Sequence, residues 1–187
     1  MKRRKALSTV SAITAGSFVV PQIILSGCDP GPYKFALFNW GDTELLNDIA
    51  ETIIPATSGV PGAKAANVGE FIQLYISDCY KVKEREAFLK GFENFKISMQ
   101  VEYNDEFVSL THEVRIKVIE SLEMESKEFD SQILDGEVNH FYSMLKGTIL
   151  FGYFTSEIGA TLALRYVPIP GHQTGEIPYN GERAWAL

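Results

Sequence analysis

FYSMLKGTILFGYF, residues 141–154, is the most apolar stretch of the chain beyond its N-terminal region, and its reading decides the fold. A membrane-spanning helix needs about 20 predominantly apolar residues; this stretch is shorter and is interrupted by Lys146, Gly147 and Gly152. It therefore reads as a central helix buried among others. The remainder of the chain should supply the layers around it.

Upstream, several segments show helical spacing. Asp42 reads as the N-cap of a helix carrying Leu45, Leu46, Ile49 and Ile53, which Pro55 stops. A loop dense in turn formers covers residues 55–64. Asn67 followed by Glu70 resembles a capping box, opening a helix with Val68, Phe71, Ile72, Tyr75 and Cys79. From about Lys83, a further helix aligns Phe88, Phe92, Phe95 and Met99 on one face, an aromatic stripe that reads as core. Thr111 can cap the next, whose inner face holds Val114, Val118, Ile119 and Leu122.

Downstream, Thr155 or Ser156 reads as the N-cap of a short helix, with Glu157 favoured at its positive end and Phe154, Ile158 and Leu164 assigned to the core. After Arg165 the periodicity ends, and a Pro/Gly-rich tail carries Tyr166, Tyr179 and Trp185. These aromatics either wrap the chain's own bundle or anchor a partner. No run of alternating strands occurs. The expected fold is all-α, a compact bundle of five to six helices with an irregular C-terminal tail, in one domain over residues 42–187.

The N-terminal 27 residues have the layout of a targeting segment: a basic start, an apolar middle and a small-residue finish. Arg3 and Arg4, followed by Leu7, resemble a twin-arginine export signal, although Ala6 stands where a larger apolar residue is commoner. Leu25-Ser26-Gly27-Cys28 resembles a lipobox, in which Cys28 is acylated and becomes the new N-terminus. Two or three acyl chains make a stable anchor, and residues 28–41, with Pro30, Gly31 and Pro32, read as a tether. The expected location is the periplasmic side of a bacterial membrane.

Removing residues 1–27 would take four of 17 basic residues and none of 24 acidic ones, moving the net charge from −7 to −11. That balance argues against nucleic acid, whose phosphates require a basic surface. With Cys28 carrying lipid, Cys79 is the only other thiol, so the mature chain has no internal disulfide. Cys79 reads as a small buried hydrophobe, with an intermolecular disulfide as the sharper alternative.

Chemistry is sparse. Glu137 and His140 form a Glu-x-x-His pattern that would place both on one helical face, as in di-iron carboxylate bundles; those require two such motifs and further glutamates. Ser156 lacks a Gly-x-Ser-x-Gly elbow, and neither a Gly-x-Gly-x-x-Gly nor a Walker sequence occurs. No catalytic, metal or cofactor site is expected on this chain. The alternative is a stand-alone lipoprotein enzyme or metal-binding bundle centred on Glu137 and His140.

Three segments without a chemical role, IAETIIPAT (49–57), PGAKAA (61–66) and GYFTSEIGAT (152–161) with Leu164-Arg165-Tyr166 and Pro168-Ile169-Pro170-Gly171, resemble the gluconate 2-dehydrogenase subunit 3 family. The resemblance runs from about residue 43 to the C-terminus. It implies a non-catalytic small subunit accompanying a large FAD-dependent dehydrogenase of the glucose-methanol-choline type, often with a cytochrome c as acceptor. FAD would belong to the partner, and the export signal would serve both chains. On this reading Glu157, Arg165, Tyr166, Tyr179 and Trp185 are candidate interface residues, with an internal Glu157–Arg165 ion pair as the alternative.

Overall fold

The computed structural model describes residues 37–134, 136–169, 171, 176 and 178–186. Arg3, Arg4, Cys28 and most of the expected tether lie outside the described residues. Helix α1 (Trp40–Ile53) opens on a reciprocal cap, in which the Asn39 side chain accepts from the Asp42 amide at 2.9 Å and the Asp42 carboxylate accepts from the Asn39 amide at 2.8 Å. Asp42 is therefore inside the first turn and not the N-cap. Together the two side chains satisfy two orphan amides, where Asp42 alone would satisfy one.

A 3-10 turn (Ala63–Ala66) leads into α2 (Val68–Cys79), followed by α3 (Val82–Tyr103), a 3-10 turn (Phe107–Ser109), α4 (His112–Gln132) and α5 (Phe141–Thr155). Asn67 does precede α2, but it is left-handed (φ 52°) and its side chain makes no capping bond. Its amide instead closes the preceding 3-10 turn on Lys64 O at 3.1 Å, which fixes it as a hinge between two helical pieces. The expected capping box with Glu70 does not form. Beyond α5, a π-helical turn (Gly159–Ala163) precedes β1 (Arg165–Tyr166), which pairs in parallel with β2 (Trp185–Ala186).

Helix α5 packs against α1, α2, α3 and α4, as its apolar sequence requires. Tyr142, Leu145, Ile149 and Tyr153 are buried on it, facing Leu46 and Ile49 of α1, Ile72 and Ile76 of α2, and the Phe88, Phe92, Phe95, Met99 stripe of α3. At Gly91 an added Cβ would collide with Phe141, 2.6 Å from its Cγ, so the absence of a side chain there lets α3 and α5 approach. With 15 residues, α5 is about 22 Å long, and no helix among the described residues is long and apolar enough to cross a membrane.

Polar contacts tie α4 to α5. Lys146 lies 2.5 Å from the Glu123 carboxylate, and Lys127 holds its other oxygen at 3.1 Å. These hydrogen bonds, Lys146's first, hold the Glu123 pKa down at about 2. Tyr142, buried nearby, has its phenol pushed above the ordinary value by burial and then by the Glu123 charge. Because the Glu123 carboxyl titrates lower in the folded than in the unfolded chain, its stabilisation is present above the ordinary carboxylate range and is lost as pH falls toward the folded value. Glu123→Gln should cost about 1 kcal/mol at neutral pH, the upper end for a solvent-accessible pair. Urea denaturation of both proteins should show that difference shrinking below about pH 4.

Candidate functional site

The loop after α1 has the composition of a mobile linker, but Glu51 organises it. One carboxylate oxygen accepts from the Ala56 amide at 3.0 Å and the other from the Lys64 amide at 2.9 Å, so a single α1 side chain clasps both ends of the loop. Within it Thr57 and Val60 pair across a turn at 2.9 and 3.1 Å, with Gly59 at φ 83°. The Ala63 amide donates to Ile54 O at 3.0 Å. Asp48, one turn earlier on α1, holds Lys64 at 2.6 Å and Arg115 of α4 at 3.2 Å.

Tyr153 of α5 joins this clasp, donating its hydroxyl to Pro61 O at 2.7 Å. Burial and then the Glu51 charge push its phenol pKa upward, keeping it a donor. The segments 49–57, 61–66 and 152–161 are therefore bonded to one another although about 90 residues separate the first two from the third. The arrangement fixes the end of α5. It gathers no nucleophile–base pair.

Immediately after α5, Ser156 ends one helix and starts the next. Its hydroxyl donates to Tyr153 O at 2.6 Å and accepts from the Gly159 amide at 3.0 Å, as the sequence expectation of a cap at Thr155 or Ser156 requires. The Leu164 amide closes the π-turn on Gly159 O at 2.8 Å. The tail then returns: Arg165 N donates to Ala184 O at 2.8 Å, and the Arg165 guanidinium lies over the Trp185 ring at 4.3 Å from its centroid. Arg183 also donates to Leu162 O.

The five interface candidates are thus placed as follows. Arg165 and Trp185 contact each other, and Arg165 pairs with Glu182 at 3.4 Å; the alternative Glu157–Arg165 ion pair is absent because the tail brings Glu182 to the guanidinium. Tyr166 and Tyr179 are exposed, as is Glu157 at the start of the π-turn. The π-turn and the β ladder bring Arg165, Tyr166 and Trp185 into one patch.

Glu137 and His140 do not share a helical face. Glu137 lies in the loop between α4 and α5, where its carboxylate accepts from the Leu134 amide at 3.1 Å, and His140 is the N-cap of α5. The His140 Nδ1 accepts from the Tyr142 amide at 3.3 Å, while its own amide donates to Asp130 at 2.7 Å. Its Nε2 is 3.7 Å from Glu125, at the edge of a cavity of about 370 Å³ between α3 and α4. One imidazole nitrogen is committed to the cap. No group of three or more metal-ligating side chains gathers among the described residues.

Two further expectations are corrected. Cys79 is exposed at the end of α2, because Ile72 and Ile76 supply the buried stripe and Cys79 falls outside it. Phe154 is 38% exposed and not core, since Tyr153 takes the inward position next to it. With Leu150 and Phe151 it forms an outward apolar stripe on α5 that the sequence reading did not separate from the core. The spacing 147, 150, 151, 154 was the available signal: a second helical stripe opposite the buried one.

The family model described as Gluconate 2-dehydrogenase subunit 3 matches residues 41–171. It covers the five helices, the clasp and the π-turn, and ends before Tyr179 and Trp185. No curated protein and no solved structure matches the chain at a significant level.

Proposed function

Because the chain belongs to the gluconate 2-dehydrogenase subunit 3 family, and so is an accessory subunit of a gluconate 2-dehydrogenase-type complex, we propose that it escorts and membrane-tethers a large partner dehydrogenase without catalysing a reaction itself. The partner is an FAD-dependent enzyme of the glucose-methanol-choline type acting on a sugar, sugar acid or polyol. FAD resides on that partner, and a cytochrome c is the class of subunit that would take its electrons. Cys28, acylated on the periplasmic side of the membrane, supplies the tether and makes an anchor on the cytochrome unnecessary.

The observation that carries this reading is the family match across residues 41–171, over most of the folded domain. The internal use of the resembling segments supports it. Glu51, Tyr153, Ser156 and Gly159 are consumed in bonds within the chain, which is how residues that shape a docking body behave. The twin arginines fit the same picture: on this reading the cofactor is on the partner, and the cargo requiring folding before export is the flavoprotein.

Changing Arg3 and Arg4 together to Lys should strand the partner's dehydrogenase activity in the cytoplasm, read by fractionation and dye-linked assay, with periplasmic activity falling at least tenfold. If the partner reaches the periplasm regardless, the escort role is wrong. Cys28→Ser tests the tether independently. The mutant chain should leave the membrane fraction or remain unprocessed, and unchanged mobility with membrane retention would refute lipidation.

A further inference from the structure

Helix α5 is apolar on its outer side as well as its inner one. Leu150, Phe151 and Phe154 are 38%, 50% and 38% exposed, on the same side as an exposed Gly147 with open space over it. The Phe151 ring lies 5.8 Å from Phe71 and 5.6 Å from Tyr75 of α2, and those two rings stack at 5.6 Å. The aromatic surface is therefore continuous across two helices, and Leu74, 48% exposed, prolongs it along α2. Rigid aromatic side chains with part of their area still open to solvent are the usual anchors of a protein interface.

The charged side chains carried by α2 itself and just after α5 have one sign, while the nearest cations flank the end of α2, with Arg85 turned onto the Ser77 carbonyl and Lys81 beyond Tyr80. The charged residues of α2 are Glu70 and Asp78, Glu157 follows α5, all three are exposed, and none takes part in an ion pair among the described residues. The single cation of the two helices, Lys146, is committed to Glu123. Such a rim selects a basic counterpart and disfavours a second copy of this acidic chain, whose like rim would oppose it. The chain's own tail is engaged elsewhere, held to β1 through the Arg165–Trp185 contact and the Ala184 carbonyl.

We infer that the α2–α5 aromatic face is the surface on which the partner dehydrogenase docks, and that the matching surface of that subunit is an apolar patch edged by Lys or Arg. The inference rests on the accessory-subunit reading and deepens it by assigning the surface. It places the contact on Phe71, Tyr75, Phe151 and Phe154, ahead of the tail residues Tyr179 and Trp185 that lie beyond the family match.

The test uses the affinity-tagged full-length chain in its own cell, purified from detergent-solubilised membranes, with the co-purified dye-linked dehydrogenase activity as readout. Phe151→Glu and Phe154→Glu should each lower that activity at least tenfold, while Met124→Glu and Val101→Glu, at exposed apolar positions on α4 and α3, leave it unchanged. Glu70→Lys with Asp78→Lys should also weaken capture and flatten its salt dependence. Phe151 touches two neighbours, so Phe154→Glu and Leu150→Glu, each verified by an unchanged melting temperature, decide the matter. Full capture by both folded variants overturns the docking face, as does their conversion of a self-associated chain into monomers with the dehydrogenase retained. Failure of the wild-type chain to capture any dehydrogenase would instead refute the accessory-subunit reading beneath it.

Discussion

Phe88→Ala should destabilise the folded chain by about 3–5 kcal/mol, the range for deleting a fully buried aromatic ring. Phe88 has no exposed surface, and its ring is surrounded by four others: Phe92 stacked at 6.1 Å, Tyr80 edge-on at 6.2 Å, and Phe38 and Phe141 each at 6.4 Å. These neighbours sit on four separate segments, so no single side chain can relax into the space left behind. The cavity should therefore persist, and its cost adds to the lost transfer energy. For a domain of this size the melting temperature should fall by roughly 10 °C. A drop of less than about 3 °C in differential scanning calorimetry would mean that the ring cluster is not the centre of the core.

Gly159→Ala should be damaging for a different reason, and in one place. A Cβ at this position would meet the Tyr153 carbonyl, a backbone atom that cannot swing aside, and Tyr153 Cα–C is already fixed by the bonds from Ser156 to the same oxygen. Accommodating a methyl group requires the π-turn to move away from the end of α5, at a cost of about 1–3 kcal/mol. The consequence is directional. Movement of the turn should disturb β1 and release the tail, so trypsin should cleave after Arg165 or Arg183 at least tenfold faster than in wild type while the α3 core stays resistant. Unchanged cleavage would show that the turn tolerates a side chain. Phe88→Ala should instead open all sites together.

Much of the bundle was legible in the sequence because helical period and burial coincide. The Phe88, Phe92, Phe95, Met99 stripe is buried as its spacing predicts, Val118 and Ile119 face inward on α4, and residues 141–154 form the central helix. Capping was less legible. Asn39 and Asp42 are both good capping residues three apart, and only the path of the incoming chain decides which of them stands outside the helix. Asn67 illustrates the same limit, since its left-handed backbone follows from the 3-10 turn before it and not from its own side chain.

The weak chemical motif failed for a related reason. Glu-x-x-His requires a helix to place its residues together, and residues 137–140 lie in the connection before α5. The α5 segment misled in the opposite direction: a helix apolar all round was read as buried all round, which left Phe154 in the core and hid the face it shares with Phe151.

The sequence by itself determined the helical class, the central helix, the buried stripes and the family to which residues 41–171 belong, because these depend on local periodicity and on ordered strings of residue types. The tertiary structure alone decided that Glu51 and Tyr153 both bond to one loop, that Arg165 pairs with Glu182 instead of Glu157, and that the aromatic rings of α2 and α5 merge into one surface. Each of these joins residues far apart in the chain. Such contacts are set by how separate segments approach one another, which no single segment encodes.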